Sequence, residues 1–233
     1  ASAGKDALKC DQTDQAVTVE GDGFKVVFDN ATGAIDQLVY GNESVLKKGH
    51  GPQLDAFRAP TDNDDGAGFV GDWFRYGLYD LGHKALSREV KQLKNGAVQL
   101  VFTVESQGKE GCRQVYGNGN RDPESAYRFD KDTKKLGADD FKFTTTQVYT
   151  VWPDGSVELH SAISANRASV VLPRLGYVME LPASFDTFDY YGRGPVNNYA
   201  DRKTGQFIEH HRGKVGEQDI MLPKPQSMGN REE

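Results

Sequence analysis

Short runs of alternating apolar and polar residues, separated by Gly, Asn and Asp, constrain the fold of this chain more than any other feature. Residues 16–20 and 24–29 flank the tripeptide Gly21-Asp22-Gly23, and residues 34–40 follow the turn-like segment 30–33. Asp and Gly tolerate the positive φ angles that tight hairpin turns need. The opening of the chain is therefore predicted to be an antiparallel meander.

The same alternation returns in the middle of the chain. Residues 97–105 place Val, Leu or Phe at every second position, which predicts a strand with one face on a core. Residues 141–152 and 157–163 repeat the pattern on either side of Pro153-Asp154-Gly155, a strong hairpin signal.

Two further elements are predicted with less regular patterns. Residues 175–181 and 185–191 are expected to pair with each other around Pro182-Ala183-Ser184, whose proline must lie outside the ladder. Helical periodicity is confined to residues 73–81, which predict a short helix ended by Gly82. Strands dominate, so the predicted fold class is all-β.

The domain organisation follows from length and local composition. The chain has 233 residues, and all-β sandwiches of about 200 to 250 residues often form one domain. Residues 1–14 are a polar leader, and residues 15–233 are predicted to form one domain. Residues 106–140 carry few alternating apolar residues and predict a surface insertion, because structureless loops of such length are uncommon inside compact domains.

Charge and hydropathy exclude two classes of partner. Lys and Arg total 28 against 34 Asp and Glu, a net charge of -6, and the basic residues are scattered along the chain. Proteins that bind nucleic acid or anionic membrane surfaces usually gather their basic residues on one segment or face. No run approaches the roughly 18 apolar residues of a membrane-spanning helix. We expect neither a nucleic-acid nor a membrane partner.

Two segments resemble cofactor-binding motifs, but neither one predicts a cofactor. Residues 66–71 match G-x-G-x-x-G but follow the acidic run 62–65 without a βαβ context, which favours plain loop glycines over a dinucleotide site. The acidic run resembles a calcium loop, yet Thr61 holds the first ligand position and no Glu falls at the twelfth. A different cation site and an Asp network that accepts backbone amide hydrogen bonds both stay open.

Cysteines and histidines give no catalytic or metal signature. Cys10 and Cys112 lie far apart without a C-x-x-C motif, which argues against a zinc site or a disulfide framework. The five histidines show no H-E-x-x-H spacing, and no G-x-S-x-G motif is present. From the residues alone, the prediction stops at an all-β domain.

A resemblance extends that prediction. The segment Phe57-Arg58-Ala59-Pro60-Thr61-Asp62-Asn63-Asp64 with Gly66 resembles the Arg-x-Pro-Thr-Asp-Asn-Asp-x-Gly signature that opens the last domain of glycoside hydrolase family 2 β-galactosidases. Other segments are similar to parts of the same domain: residues 24–38, 172–176, 190–195, 198–199, 201–205, 217–218, 225–226 and 229–231. The resemblance covers about residues 17–233.

The resemblance implies a fold and a parent activity. The fold would be the antiparallel supersandwich shared with galactose mutarotases, and the parent enzyme would hydrolyse terminal β-D-galactosides with retention. In that family the two catalytic glutamates lie in a (β/α)8 barrel, and Mg and Na ions assist some members. We therefore expect this chain to hold no catalytic residue and no cofactor of its own, and to be inactive alone.

The resemblance also selects candidate site residues, for which two roles stay open. They are Arg58, Thr61, Asp62, Asn63, Asp64, Arg193, Asn198, Asp201 and Arg202. Arg pairs readily with carboxylates, and Asp and Asn accept amide hydrogen bonds in turns. These side chains either fasten their loops as a polar staple or line the rim of the substrate pocket; no metal ligand is predicted among them.

The sequence departs from the family pattern at three places. The segment 106–140 is longer than the family's usual connection. Asn197 stands where the family has Glu, so a role for that carboxylate does not carry over. The family's domain continues beyond the position that matches Glu233, so we expect an incomplete sandwich whose unpaired edge strands would favour homo-oligomers.

The expected partners are the catalytic barrel and the other domains of the parent chain, in the bacterial cytoplasm or periplasm. Galactose or a β-galactoside would bind weakly if at all. The alternatives are a free-standing carbohydrate-binding domain with an aromatic platform, and an aldose epimerase with His and Glu in one cleft.

Overall fold

The structure is a computed structural model that describes residues 8–113, 133–195 and 203–217, apart from the side chain of Asp62. The chain divides into two compact units, each described by itself. Unit 1 comprises Ala1–Arg58 with Phe69–Leu181, and unit 2 comprises Ala59–Gly68 with Pro182–Glu233. Within the described ranges no helix is long and apolar enough to cross a membrane.

Strands account for most of the regular structure. In chain order they are β1 (Lys9–Gln12), β2 (Ala16–Gly21), β3 (Phe24–Asp29), β4 (Ile35–Tyr40), β5 (Glu43–Ser44), β6 (Gln53–Asp55), β7 (Leu81–Gln92), β8 (Val98–Gly108), β9 (Glu110–Gly111), β10 (Lys134–Lys135), β11 (Lys142–Val151), β12 (Val157–Ala165), β13 (Gly176–Val178), β14 (Thr187–Gly194) and β15 (Phe207–Lys214). The helices are α1 (Asp62–Gly66), α2 (Val70–Arg75) and a 3-10 turn, Val215–Glu217.

Unit 1 is built on two antiparallel sheets that pack face to face. One sheet has the strand order β1-β2-β3-β4-β5, and the other has the order β12-β11-β8-β7. Alternate residues of each sheet point inward and form one core. Its buried members are Leu8, Val17, Val19, Phe24, Val26, Phe28, Ile35, Leu46, Val98, Leu100, Phe102, Val104, Tyr149 and Val151. The predicted all-β antiparallel sandwich is confirmed.

A second core in unit 1 gathers around α2. Trp73 and Leu78 are almost fully buried beside Phe141 and Phe143, with Leu54, Ala56, Val70 and Val170 completing the cluster. The indole Nε1 of Trp73 donates a hydrogen bond of 2.7 Å to the carbonyl oxygen of Val171. This core joins α2 to the start of β11, so the short helix is fixed by packing.

Unit 2 contains α1 and a two-stranded ribbon of β14 and β15. Antiparallel pairing runs from Thr187 opposite Lys214 to Gly194 opposite Phe207. One face of the ribbon carries Tyr190, which lies 5.0 Å from His211 between ring centroids and stacks on Phe188 at 5.7 Å.

Most predicted strands are confirmed. The hairpin of β2 and β3 turns at Asp22-Gly23, and the hairpin of β11 and β12 turns at Gly155, whose φ is 86°. Along β8 every second side chain is buried, as the alternation predicts. Strand pairing also continues into both ends of residues 106–140, because β8 runs to Gly108 and β9 pairs with β10.

The predicted helix over residues 73–81 is wrong at both ends. Helix α2 ends at Arg75, where Gly77 adopts a φ of 60° and donates to the carbonyl oxygen of Phe74, while Leu78 donates to that of Trp73. These two bonds form a Schellman motif, so Gly77 ends the helix and Gly82 does not. Residues 81–92 form the edge strand β7, whose mostly exposed side chains weaken the alternation.

The predicted pairing of residues 175–181 with residues 185–191 is also wrong. Strand β13 pairs with β6, and β14 pairs with β15. Strand β6 lies far earlier in the sequence than β13, and β15 follows β14 after a connection longer than the expected turn. A local sequence pattern does not carry that information.

We predict that Gly77→Ala lowers the free energy of unfolding by about 2–4 kcal/mol, because a side chain disfavours this φ and clashes with a neighbouring backbone. An added Cβ would lie 2.0 Å from the carbonyl oxygen of Glu110. The matched control is Gly176→Ala, where nothing lies within 4 Å of the added Cβ. Urea unfolding of both variants is the measurement; equal losses would contradict the prediction.

Candidate functional site

The signature segment forms a capped helix start. Thr61 is the N-cap of α1, and its Oγ1 accepts a hydrogen bond of 3.4 Å from the backbone N–H of Asp64. In return, Asp64 Oδ2 accepts hydrogen bonds of 2.7 Å from the Thr61 backbone N–H and 2.9 Å from the Thr61 hydroxyl. This reciprocal arrangement is a capping box with Asp in the place usually held by Glu or Gln. It fixes the loop locally.

The other candidate residues of this segment have different surroundings. The Arg58 guanidinium lies 5.5 Å from the ring centroid of Trp73, within the range of a cation–π contact. Asn63 is exposed, and the side chain of Asp62 lies outside the described part of the structure. Gly66 ends α1 and Gly68 has a φ of 78°, as expected of loop glycines.

The second group of candidates is only partly described. Arg193 Nη1 donates a hydrogen bond of 2.9 Å to the carbonyl oxygen of Gln206, linking β14 to the residue before β15. Asn198, Asp201 and Arg202 lie outside the described residues. The structure thus brings Thr61 and Asp64 together, and the two roles, staple and substrate rim, stay predictions for all nine candidates.

A cleft in unit 1 gathers chemically active side chains that no motif predicted. Its volume is about 360 Å³, and it is lined by His50, Gly51, Gln53, Leu54, Asp55, Tyr79, Asp80, Leu81, His83, Val178, Met179 and Glu180. These residues come from β6, the start of β7, β13 and the segments beside them. The pairing of β6 with β13 brings two of these segments together although they lie more than a hundred residues apart in the sequence.

Each carboxylate of the cleft has a cationic partner. Glu180 accepts from Lys47 Nζ at 2.6 Å and lies 2.9 Å from His50 Nδ1. Asp80 accepts from Lys109 Nζ at 2.6 Å, and Asp55 pairs with Arg174. The hydrogen bond from Lys47 holds the pKa of Glu180 below its ordinary value, so this carboxylate stays ionised into mildly acidic solution.

Burial is the main cause of the pKa shifts of two cleft residues, His83 and Tyr79. Burial lowers the pKa of His83 from 6.5, the Lys109 charge lowers it further, and Asp55 and Asp80 oppose the shift. Its Nδ1 lies 2.9 Å from the Ser106 hydroxyl. Burial raises the pKa of Tyr79 to about 12, with the Cys112 thiol adding to the shift.

The described residues contain no group of three or more His, Cys, Asp and Glu side chains arranged to hold a metal ion. Cys10 and Cys112 are both free thiols.

We predict that Thr61→Val speeds hydrogen exchange of the α1 amides about five-fold, because losing an N-cap hydroxyl costs about 1 kcal/mol. The amide of Asp64 is the reporter, since Thr61 Oγ1 caps it. Thr61→Ser keeps the hydroxyl and is the matched control. Equal exchange rates in both variants would rule out a working capping box.

We predict that acid destabilises the protein partly through His83. Because the folded state keeps this imidazole neutral while the unfolded chain binds a proton, stability falls as the pH drops below 6.5. His83→Asn should reduce the loss of unfolding free energy between pH 7.5 and pH 5.5, measured by urea titration. His160→Asn, at an exposed site, is the control and should keep the wild-type loss.

Comparison with known proteins identifies the family of the chain. A family model described as the β-galactosidase small chain matches residues 20–233. β-Galactosidase of Halalkalibacterium halodurans is 29% identical over 235 residues, covering 97% of this chain and 19% of the relative. β-Galactosidase of Priestia megaterium is 27% identical over 225 residues, covering 97% and 18%. The chain therefore spans less than a fifth of these relatives, and it belongs to the β-galactosidase small-chain family as an accessory domain.

Proposed function

We propose that this chain is a non-catalytic domain of an enzyme that hydrolyses terminal β-D-galactosides. In that enzyme it packs against the rest of the galactosidase chain and completes the active-site rim or the interface between domains or subunits. The observation that carries the proposal is the exposure of large apolar side chains in both units. Extensive apolar exposure marks surfaces that other protein parts cover.

In unit 1 the exposed apolar residues are concentrated in one segment. Val171, Leu175, Val178, Met179 and Leu181 are each 45–53% exposed. They lie on and around β13, which among the described residues belongs to a two-stranded sheet with β6. A covering domain would remove this apolar surface from water, at a gain of roughly 25 cal/mol per Å².

In unit 2 the ribbon exposes apolar side chains on both faces. Tyr191 is 69% exposed and Ile208 is 49% exposed, and the pairing register places them on one face. Phe207, at 71% exposed, lies on the other face. An isolated two-stranded ribbon is only marginally stable in water. The remainder of the galactosidase, more than four-fifths of the length in the relatives, supplies a partner of sufficient size.

The electrostatics of the cleft argue against a glycosidase general acid at Glu180. A glycosidase general acid needs a raised pKa, so that it holds its proton near neutral pH. The pKa of Glu180 is shifted in the opposite direction by Lys47. This carboxylate is suited to accepting hydrogen bonds and not to proton donation.

We predict that replacing Tyr191, Phe207 and Ile208 together by Ser in the complete galactosidase lowers its specific activity at least about ten-fold. The expected cause is the loss of buried apolar area between this domain and its neighbours. Hydrolysis of a chromogenic β-galactoside and size-exclusion chromatography are the measurements.

The matched control replaces three exposed polar residues of the same ribbon, Thr187, Glu209 and Arg212, by Ser and should keep activity. The isolated chain should give no turnover. Turnover by the isolated chain, or equal effects of the two triple variants, would contradict the proposal.

A second candidate, an aldose epimerase, is favoured by one observation: His50 and Glu180 lie 2.9 Å apart in a single cleft, as acid–base partners would. Polarimetry of freshly dissolved α-D-galactose with the isolated chain distinguishes the two functions. Faster mutarotation that is lost in His50→Asn would support an epimerase, whereas an unchanged rate would remove this candidate.

A further inference from the structure

We propose that the edge of strand β12 is an interaction surface for a second copy of this chain, which adds its own β12 as an antiparallel strand. Strand β12 (Val157–Ala165) lies at one end of the four-stranded sheet of unit 1, and among the described residues it pairs with β11. The inference is independent of the interface role proposed above, because β12 belongs neither to the apolar segment around β13 nor to the ribbon of unit 2.

The hydrogen bonds at the two ends of the ladder show which backbone groups of β12 point away from β11. The N–H of Trp152 donates to the carbonyl oxygen of Ser156 at 2.9 Å, and the N–H of Asn166 donates to that of Lys142 at 3.1 Å. Hydrogen-bonded pairs alternate with non-bonded pairs along an antiparallel ladder. The even-numbered residues of β12 therefore bond to β11, and the odd-numbered residues direct their N–H and C=O groups toward the open edge. No backbone hydrogen bond among the described residues joins these outward groups to another segment.

The other edges of the two large sheets carry features that discourage pairing, whereas β12 does not. Strand β7 has a register irregularity between Ala85 and Ser87, and it carries Lys84, Arg88 and Lys91. Strands β1 and β5 have only four and two residues. Strand β12 pairs with β11 over nine residues without irregularity and contains no Lys, Arg or Pro. Because basic residues, bulges, prolines and short length are what keep an edge from pairing, β12 is the edge suited to receive another strand.

The sequence of β12 is complementary to itself in one antiparallel register. With Ser161 opposite Ser161 of the partner copy, all nine residues of each strand overlap. Leu159 then lies opposite Ile163 of the partner copy, and both are apolar side chains that pack against the cores of unit 1. The odd-numbered residues form the hydrogen-bonded pairs, so the two edges exchange about ten backbone hydrogen bonds. The pair has two-fold symmetry, the commonest symmetry of homodimers.

The charges on the outer face are compatible with this register. Glu158 lies opposite Ser164 of the partner copy, and His160 lies opposite Ala162 of the partner copy. Like charges directly opposite each other across two strands are destabilising, and this register contains none. The contact of 2.8 Å between Glu158 and His160 within each copy is retained. A second copy thus meets no electrostatic barrier at this edge.

The dimer is expected to be weak. Pairing two nine-residue edges buries less surface than the roughly 1,200–2,000 Å² of a standard stable interface. Each backbone hydrogen bond contributes little net free energy, because the separated strands bond to water instead. We expect a dissociation constant on the order of 0.1 mM for the isolated chain.

The first test compares two substitutions of Ser161 by sedimentation equilibrium of the isolated chain at about 10 µM to 1 mM. Ser161→Pro removes an N–H that points to the partner copy and leaves the ladder with β11 intact, so the dissociation constant should rise at least about ten-fold. Ser161→Ala is the matched control. Both variants lose the hydroxyl that accepts a hydrogen bond of 2.8 Å from Tyr177, but Ala keeps the N–H and should dimerise as the wild type does. Urea unfolding verifies that both variants are folded.

The second test locates the contact by disulfide cross-linking with copper phenanthroline as the oxidant. Ser161→Cys places two thiols opposite each other with about 5.5 Å between their Cα atoms, which suits a disulfide. Ser164→Cys is the matched control: it is also exposed on β12, but its two copies lie about 20 Å apart in this register. Cys10 and Cys112 are present in both variants. A linked dimer is expected from Ser161→Cys and not from the control.

Three results would each overturn the proposal: a chain that stays monomeric at about 1 mM, equal dimerisation of the Pro and Ala variants, or equal cross-linking of the two Cys variants. A dimer that persists in Ser161→Pro uses another surface, such as the exposed apolar residues around β13. A monomeric chain would leave the interface role untouched, because that role is measured in the complete galactosidase.

Discussion

Three aromatic rings join the two sheets of unit 1, and the positions of the other elements of that unit depend on this contact. Phe28 of β3 lies 5.0 Å from Tyr149 and 6.3 Å from Phe102 between ring centroids, and all three side chains are fully buried. Aromatic pairs in tilted or edge-to-face geometry add to the free energy gained from burial. This contact sets the spacing of the two sheets. In the second sheet, β8 pairs with both β11 and β7 and fixes their register. The position of β7 in turn brings His83 to the cleft.

Much of the fold could be predicted because its central strands alternate strongly. β8 and β11 bury one side chain in two along most of their lengths, and the turn glycine at position 155 marks the hairpin end. The edge strand β7 was missed because it pairs with one neighbouring strand and most of its side chains are exposed, so its sequence shows little apolar alternation. The helix end was misplaced because Gly77 and Gly82 are equivalent as sequence signals, and only the hydrogen bonds at Gly77 distinguish them.

The candidate site could be predicted in part. The Thr61-to-Asp64 spacing contains the capping box, so the signature's local role follows from four consecutive residues. The cleft could not be predicted, because its ion pairs join residues separated by long stretches of chain: Asp55 and Arg174 are 119 residues apart, and Lys47 and Glu180 are 133 residues apart. Charges at such distances give no periodic or motif-like signal. A family resemblance identifies the parent enzyme more readily than it identifies what a surface of one domain binds.

The order of strands in the first sheet has a consequence for how the chain folds. β1 to β5 are neighbours in the sheet in the same order as in the sequence, so each pairing closes only a short loop. In the second sheet β8 pairs with β11, which begins more than thirty residues after β8 ends, so this pairing closes a much longer loop. Local pairings form faster than distant ones, since less chain entropy is lost before contact. During synthesis the N-terminal meander can therefore emerge and pair first, serving as the template on which the later sheet condenses.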